Sequence, residues 1–429
     1  KEEIFKSWVS SLKLDLDLLF PTRNSKECMY LDLSVSSTWL GHLSEFADFD
    51  HFNYKINQLQ KKHPGKIIGG GYLEPRLVYT TAAYQKNGNE KKEHRTVHLG
   101  LDFWLSAGTP VHAPLKGEVV VAVNDAGDKE YGGLIILKHQ LKDFAFFSLY
   151  GHLSVASATA KNIGDIIEAG EQIAVLGDYP ENGNWPPHLH FELMLSMLDY
   201  TSDFPGVAYK SELNIWKSLC PDPNLLFKLD TLQQKSPAEN KTLTDFRKAH
   251  LGKGMSLSYD EPLQIVRGSG PYLIDQFGAL YLDTVNNVAH VGHEHPLVVK
   301  AGQEQMALLN TNTRYLHENI NLFTKELLDT FPPELAVVHF VNSGSEANEL
   351  ALRMAKVVTN NKDILASEMG YHGNTNACIE ISSYKFDGKG GQGCPEHTHI
   401  FPLADSFRGL YRGADTGEAY AKEVEKKIS

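Results

Sequence analysis

Turn signals constrain this chain more than any other feature. Between Gly69 and Pro205 it is cut into short β-rich runs: RLVYTTAAY, VHLGLDFWL, GEVVVAV, GGLIILKH, DFAFFSLY, EQIAVLG and HLHFELML. The segments NGN, DAGD, NIGD, EAG and ENGN supply the turns between them. Many short strands at such close spacing predict an all-β sandwich or partly open barrel. From 241 onward the texture changes. HPLVVKAGQEQMALLN and EANELALRMAKVV read as helices, while LAVVHFVNS and KDILASEM read as buried strands. That alternation predicts βαβ units on a parallel sheet. Before the β region, Leu14, Leu16, Leu18, Leu19, Leu40, Leu43 and Phe46 recur at mixed helical spacings. The expected layout is multidomain: a mostly helical connector or upstream tail at 1–62, the β domain at 63–205, a linker at 206–240 around Pro221 and Pro223, and an α/β domain at 241–429.

Composition narrows the partners. The net charge is −12, from 41 basic and 53 acidic residues, which argues against a nucleic-acid surface. No run approaches the ~18 apolar residues that span a bilayer. Cys28, Cys220, Cys378 and Cys394 show no CxxC spacing, so neither a disulfide framework nor a thiolate zinc site is expected and a reducing, cytoplasmic setting is the default. The chain opens KEEIFKSW, so targeting is not legible at this end.

The chemistry of the β region lies in its histidines. In His98-Leu99-Gly100-Leu101-Asp102, strand alternation puts His98, Gly100 and Asp102 on one face and turns Leu99, Leu101 and Phe103 into a core. Pro187-His188-Leu189-His190-Phe191 repeats the pattern, with both histidines on one face. Residues two apart on a strand are displaced by roughly 6.6 Å, and a zinc–nitrogen bond is about 2.0–2.1 Å. If His190 binds a metal, His188 therefore stands just outside bonding distance, where an acid, base or oxyanion donor belongs. Leu149-Tyr150-Gly151-His152 brings a further histidine at the end of an aromatic strand. Two His and one Asp with a position left to water is the arrangement of a catalytic zinc.

The order and spacing of these segments carry more than any one of them. His98-x-Gly-x-Asp102 is followed by Gly108-Thr-Pro-Val-His-Ala-Pro114, Gly117-Glu-Val-Val120, Tyr131-Gly-Gly, Tyr150-Gly-His-Leu153, Gly164-Asp, Ala169-Gly170 and Pro187-His-Leu-His-Phe-Glu192. Over residues 69–200 this resembles the M23 metallopeptidases, the lysostaphin and LytM-like group. The resemblance implies that His98, Asp102 and His190 bind zinc and that His152 and His188 are catalytic. His112 and His139 read as structural or solvent-facing. Trp185 and Pro186 stand where that family usually has small residues, so a reshaped groove is expected. The alternative is a non-catalytic, metal-keeping module that binds or tethers.

The α/β region holds a second pattern. Val337–Val341 reads as a buried strand, followed by Asn342-Ser343-Gly344-Ser345-Glu346 at the start of a helix. A strand, a small Gly/Ser turn and a helix N-terminus form an anion pocket, with free N–H groups and the macrodipole favouring a phosphate. Around it stand Val266-Arg267-Gly268, Tyr272-Leu273-x-Asp275, the strings NNVAHVGH and LNTNTRYLH, and Tyr371-His372-Gly373. This series looks like a class III pyridoxal-phosphate aminotransferase, on the branch of the alanine–glyoxylate aminotransferases and the ethanolamine-phosphate and hydroxylysine-phosphate phospho-lyases. The resemblance covers residues 241–429 and implies the N-terminal part of a type I pyridoxal-phosphate fold, with Gly344 and Ser345 cradling the phosphate and Tyr371-His372 at the ring. It also implies a small amine or amino-acid substrate, alongside a peptide for the zinc domain, and a homodimer at full length. No lysine after Tyr371 stands in a matching Schiff-base context, so this stretch by itself is expected to show no transaminase or lyase activity.

Overall fold

Residues 1–428 are described by a computed structural model, except 24–27, 80, 82–83, 86–92, 142–143, 233–238 and 287–289. The NGN turn, most of the end of the 206–240 segment and the centre of NNVAHVGH fall outside the described residues. The chain forms two compact units, Lys1–Leu309 and Asn310–Ser429. The first 62 residues contribute helix α1 (Glu2–Ser10), strand β1 (Cys28–Tyr30) and helix α2 (Phe49–Lys62). Then come β2 (Ile67–Gly70), β3 (Arg95–His98), β4 (Leu101–Trp104), β5 (Pro110–His112), β6 (Gly117–Asp125), β7 (Gly132–Gln140) and β8 (Ala145–Leu153). Helix α3 (Val155–Thr159), β9 (Ile166–Ile167), β10 (Gln172–Val175), β11 (His188–Met194), β12 (Val207–Tyr209), α4 (Leu213–Leu219), α5 (Asn224–Phe227) and α6 (Asn240–His250) follow. The unit ends with β13 (Ile265–Ser269), β14 (Tyr272–Asp275), β15 (Leu280–Leu282) and α7 (Pro296–Leu308).

Five of the β-rich runs supply strands to one eight-stranded sheet in the order β1-β2-β4-β11-β8-β7-β6-β9. Its long middle strands are buried: Leu134, Ile135, Ile136 and Leu137 of β7, Phe146 and Leu149 of β8, and Leu189, Phe191 and Leu193 of β11 are all fully buried. RLVYTTAAY forms no strand among its described residues. Its Arg76 turns into the interior to meet two carboxylates, while its backbone N–H donates to the Thr96 carbonyl. The first 62 residues depart from the expected helical connector. Phe5, Val9, Leu16, Leu19 and Phe20 pack into the main core, and β1 extends the sheet parallel to β2. Residues 206–240, expected as a linker, also fold onto the core through Cys220, Leu226, Phe227 and Leu232.

The α/β expectation is met only in part. β13, β14 and β15 pair antiparallel, because the links between them are a few residues long and parallel pairing needs a crossover of a dozen or more. In the second unit lie α8 (Glu318–Leu328), α9 (Gly344–Thr359), β16 (Ile364–Ser367), α10 (Asn376–Glu380), α11 (Ser383–Phe386), β17 (Thr398–Phe401) and α12 (Gly417–Ile428). β16 and β17 are parallel, with α10 and α11 in the crossover between them. Val337–Val341, expected as a buried strand, is not one. No described strand pairs with it, and Val337 is 79% exposed. Among the described residues no helix is long and apolar enough to cross a membrane.

Candidate metal centre

Neighbouring strands β4, β11 and β8 carry the site. Their register sets His190 opposite Asp102 on one side and opposite Gly151 on the other. Gly100 makes the approach possible: a Cβ there would lie 2.8 Å from the His190 ring. The chain bends at Leu99–Gly100 between β3 and β4, so His98 at the end of β3 swings onto the same spot. His98 Nε2 lies 2.8 Å from His190 Nδ1, and each is 3.2 Å from Asp102 Oδ1. All three residues are buried, and among the described residues this is the group of three or more His, Cys, Asp or Glu able to hold a metal ion.

The outward atoms are committed elsewhere. His98 Nδ1 meets the Gly71 carbonyl at 2.9 Å, and His190 Nε2 meets Glu192 Oε2 at 3.2 Å. Asp102 Oδ2 accepts from Arg76 Nη1 at 2.5 Å, and Arg76 Nε donates to Glu74 Oε2 at 2.6 Å. The carbonyl behind His98 and the carboxylate behind His190 fix which nitrogen faces inward, and Arg76 fixes the Asp102 carboxylate while favouring its charged form. A tetrahedral site with 2.0–2.1 Å bonds has donor–donor edges of about 3.3 Å, close to the spacing here. Two imidazoles and a carboxylate, each anchored from behind, fit zinc.

His188 and His152 stand beside this triangle. His188 Nε2 is 3.8 Å from Asp102 Oδ1, and its ring stacks on Trp104 with centroids 5.5 Å apart. The His152 and His188 ring centroids are 4.2 Å apart. His152 Nδ1 meets the Asn182 carbonyl at 2.9 Å, and His188 Nδ1 meets the Pro186 carbonyl at 2.7 Å. His152 holds a backbone φ of +61°, a region that non-glycine residues occupy at a cost and that clusters at functional sites.

Burial decides the electrostatics. It lowers His188 to about 4 against a partial lift from Asp102, and lowers His98 to about 3 with help from the Arg76 charge. It also holds His152 well below the usual range, reinforced by His188. Burial opposes the charged form of His190 too, but hydrogen bonds to Asp102 and Glu192 outweigh it and raise that ring to about 9. Burial works against the Asp102 carboxylate, yet His98, Arg76 and His188 hold it well below its usual value. The cluster opens on a cleft whose lining includes Tyr79, Tyr131, Trp185, Asp203 and Phe204. Trp185 lies against His152, His188 and Tyr79, with the Lys129 ammonium 3.9 Å over its ring.

His139 and His112 lie away from this cluster. His139 is buried between the Lys116 carbonyl and Ser148 Oγ, and His112 meets the Gly170 carbonyl. Sequence reasoning assigned no role to Glu74, Arg76 and Asn182, and Glu192 entered only as part of a motif. Glu192 had a signal, since it continues the His188, His190 alternation on one face. Arg76 had only its isolation in an apolar run.

In the second unit, Gly344 and Ser345 open α9, whose preceding Ser343 side chain accepts from Glu346 N. The 371–374 loop comes to this helix start: Asn348 Nδ2 donates to the His372 carbonyl at 2.8 Å, and Asn374 N donates to Ser345 Oγ at 3.1 Å. Asn374 Nδ2 donates to the Tyr371 hydroxyl at 3.0 Å, and the Tyr371 ring is half exposed. The helix N-terminus and the aromatic loop thus form one surface, and it fits the phosphate and ring of pyridoxal phosphate.

Comparison with known proteins follows the same division. Residues 96–200 match Peptidase family M23, and residues 255–427 match Aminotransferase class-III. An alanine–glyoxylate aminotransferase 2-like protein of Drosophila melanogaster is 44% identical over 186 residues, covering 42% of this chain and 38% of that protein. Ethanolamine-phosphate phospho-lyase homolog 1 of Caenorhabditis elegans is 41% identical over 170 residues, covering 39% of this chain and 36% of that protein. A solved phospholyase from Arthrobacter in complex with phosphoethanolamine is 35% identical, with a TM-score of 0.38 over 43% of this chain and 42% of that one. The chain therefore spans well under half the length of the curated relatives it matches. In one polypeptide a stretch that matches Peptidase family M23 precedes a stretch that matches Aminotransferase class-III.

Proposed function

We propose that the β region is a zinc-dependent amide or peptide hydrolase fused to a class III pyridoxal-phosphate aminotransferase or phospho-lyase. The observation that carries the first half is the convergence of His98 Nε2, Asp102 Oδ1 and His190 Nδ1 within 2.8–3.2 Å of one another. These three would hold the ion. Zinc, when bound, supplies Lewis acidity that polarises a carbonyl oxygen and makes water more acidic. Arg76 and Glu192 keep the ligand atoms aimed inward. His188 and His152 present Nε2 beside the triangle, with Nδ1 committed to a carbonyl, so each can take up a proton there and return it to a leaving amine. The test is metal analysis by plasma mass spectrometry together with hydrolysis of glycine-rich peptides. Wild type and His188→Ala are expected to hold one zinc and His98→Ala none, while His188→Ala loses hydrolysis. Zinc binding without cleavage of any peptide or amide would favour the metal-keeping module, a reading that Trp185 packed against both outer histidines supports.

The second half rests on the 255–427 match and on relatives that include a phospho-lyase homologue. Gly344 and Ser345 would receive the cofactor phosphate at the start of α9, and Tyr371 would lie against the ring, with His372 beside it. Pyridoxal phosphate, when bound, serves as an electron sink for a carbanion. The proposed substrate is a small amine such as a phosphorylated amino alcohol, and the proposed assembly at full length is a homodimer. Titration of pyridoxal phosphate followed by tyrosine fluorescence tests this surface. Quenching that Ser345→Glu abolishes is expected, and equal quenching in both proteins would remove the assignment.

A further inference from the structure

Both outer histidines are held by one short loop, residues 182–186, and one side chain ties that loop together. Asn182 is fully buried. Its Nδ2 donates to the Trp185 carbonyl at 2.8 Å, and its Oδ1 accepts from Trp185 N at 3.3 Å, so a single amide clamps both backbone groups of one residue. The Asn182 carbonyl takes His152 Nδ1, and the residue after the clamp, Pro186, takes His188 Nδ1 on its own carbonyl. A backbone carbonyl can only accept, so each contact places the proton on Nδ1 and leaves Nε2 bare. Neither ring touches the side chain of Asn182 in these bonds. Its influence passes through the loop.

We propose that Asn182 is the positioning residue that sets the tautomer of both His152 and His188, so that two rings from different strands present the same unprotonated atom toward the cleft. The inference deepens the amide-hydrolase reading and rests on it for its catalytic consequence, but not for its structural one. Without the clamp, Trp185 loses the two bonds that fix the peptide planes on either side of it, and the loop that carries the Asn182 and Pro186 carbonyls loosens. The two carbonyls then no longer hold one orientation, and each imidazole exchanges between its Nδ1–H and Nε2–H forms. A ring carrying its proton on Nε2 cannot accept another there.

Long-range proton–nitrogen correlation spectra of isotope-labelled histidine distinguish the tautomers directly, in wild type, Asn182→Ala, Asn182→Asp and Trp185→Phe. Wild type is expected to show the Nδ1–H form at both rings, and Asn182→Ala a mixture at both with zinc content unchanged. Peptide hydrolysis is expected to fall roughly 10- to 100-fold, the range seen when groups behind an active side chain are removed. Asn182→Asp retains the acceptor but not the donor and falls between. Trp185→Phe keeps the backbone clamp and both tautomers. A single Nδ1–H form at both rings in Asn182→Ala overturns the proposal. So does a tautomer mixture in Trp185→Phe, which would assign the effect to indole packing. Should Asn182→Ala not fold, Asn182→Asp and Trp185→Phe decide on the same spectra. If wild type cleaves no peptide, the hydrolase reading fails while the tautomers still judge the role of Asn182.

Discussion

Gly71 shows how closely the site is built. Its φ is +107°, and a Cβ there would lie within bond-length range of Arg76 Nη2, the guanidinium that orients Asp102. Gly65 also has positive φ, +84°, but nothing lies near its Cβ position. Both Gly→Ala changes cost about 1–3 kcal/mol for the left-handed backbone, and only Gly71→Ala is expected to displace Arg76 and lose zinc. Equal zinc content and equal denaturation midpoints in the two variants would contradict this. His139 makes a separate prediction. Burial lowers it from 6.5 to about 4, so the native state keeps it neutral while the unfolded chain takes up a proton as pH falls. Its contribution is present in full above pH 6.5 and is lost down to about pH 4, up to about 3 kcal/mol. The stability gap between wild type and His139→Gln, read from urea midpoints, should narrow across that window.

Among the elements, β13 is tied to the N-terminal region by one side chain. Arg267 donates to the Ser37 carbonyl at 2.8 Å and the Gly41 carbonyl at 2.6 Å, pairs with Glu294, and lies 4.7 Å over the Phe46 ring. Glu294 in turn accepts from Leu43 N. Strand β13, near the start of the 255–427 match, therefore sits against the 35–46 loop, whose neighbours Leu33 and Phe52 line the cleft. Removing one partner of a largely buried pair costs about 3 kcal/mol or more. Arg267→Ala is expected to raise amide hydrogen exchange across β13 and β14, and Arg267→Lys to restore little, since an ammonium lacks the planar fork that reaches carbonyls and carboxylate together. Unchanged exchange in Arg267→Ala would show that the clasp contributes nothing. Helices α7 and α9 were legible from periodicity, Pro296 at the start of one and the Ser343 cap of the other. The run at 337–341 reads as a buried strand but forms none, because an apolar run becomes a strand only where a partner edge exists.

Across the whole molecule the two units differ in what they bury. The 1–309 unit has an extended core, whereas in the second unit Leu316 is fully exposed and Val358 is 84% exposed. Apolar surface on that scale marks a region built to be covered. The purified chain is expected to bind a hydrophobic dye under native conditions and to self-associate with concentration. Val358→Lys should lower the dye signal without changing helix content, and no dye binding by wild type would count against the exposure.

Local spacing alone determined which residues share a strand face, since alternation is a property of neighbours along the chain. His188 with His190 was visible for that reason, as was the Gly/Ser turn at the start of α9, whereas His98 and Asp102, expected on one strand face, lie on β3 and β4 and meet through the bend at Leu99–Gly100. The family resemblance added the ligand set. Only the tertiary structure decided that His190 meets Asp102 across 88 positions and that Arg76 meets it across 26. It also decided that one loop brings the Asn182 and Pro186 carbonyls to the rings of His152 and His188. Those pairings depend on sheet register and loop closure, which are settled by burial of the whole core rather than by any one segment.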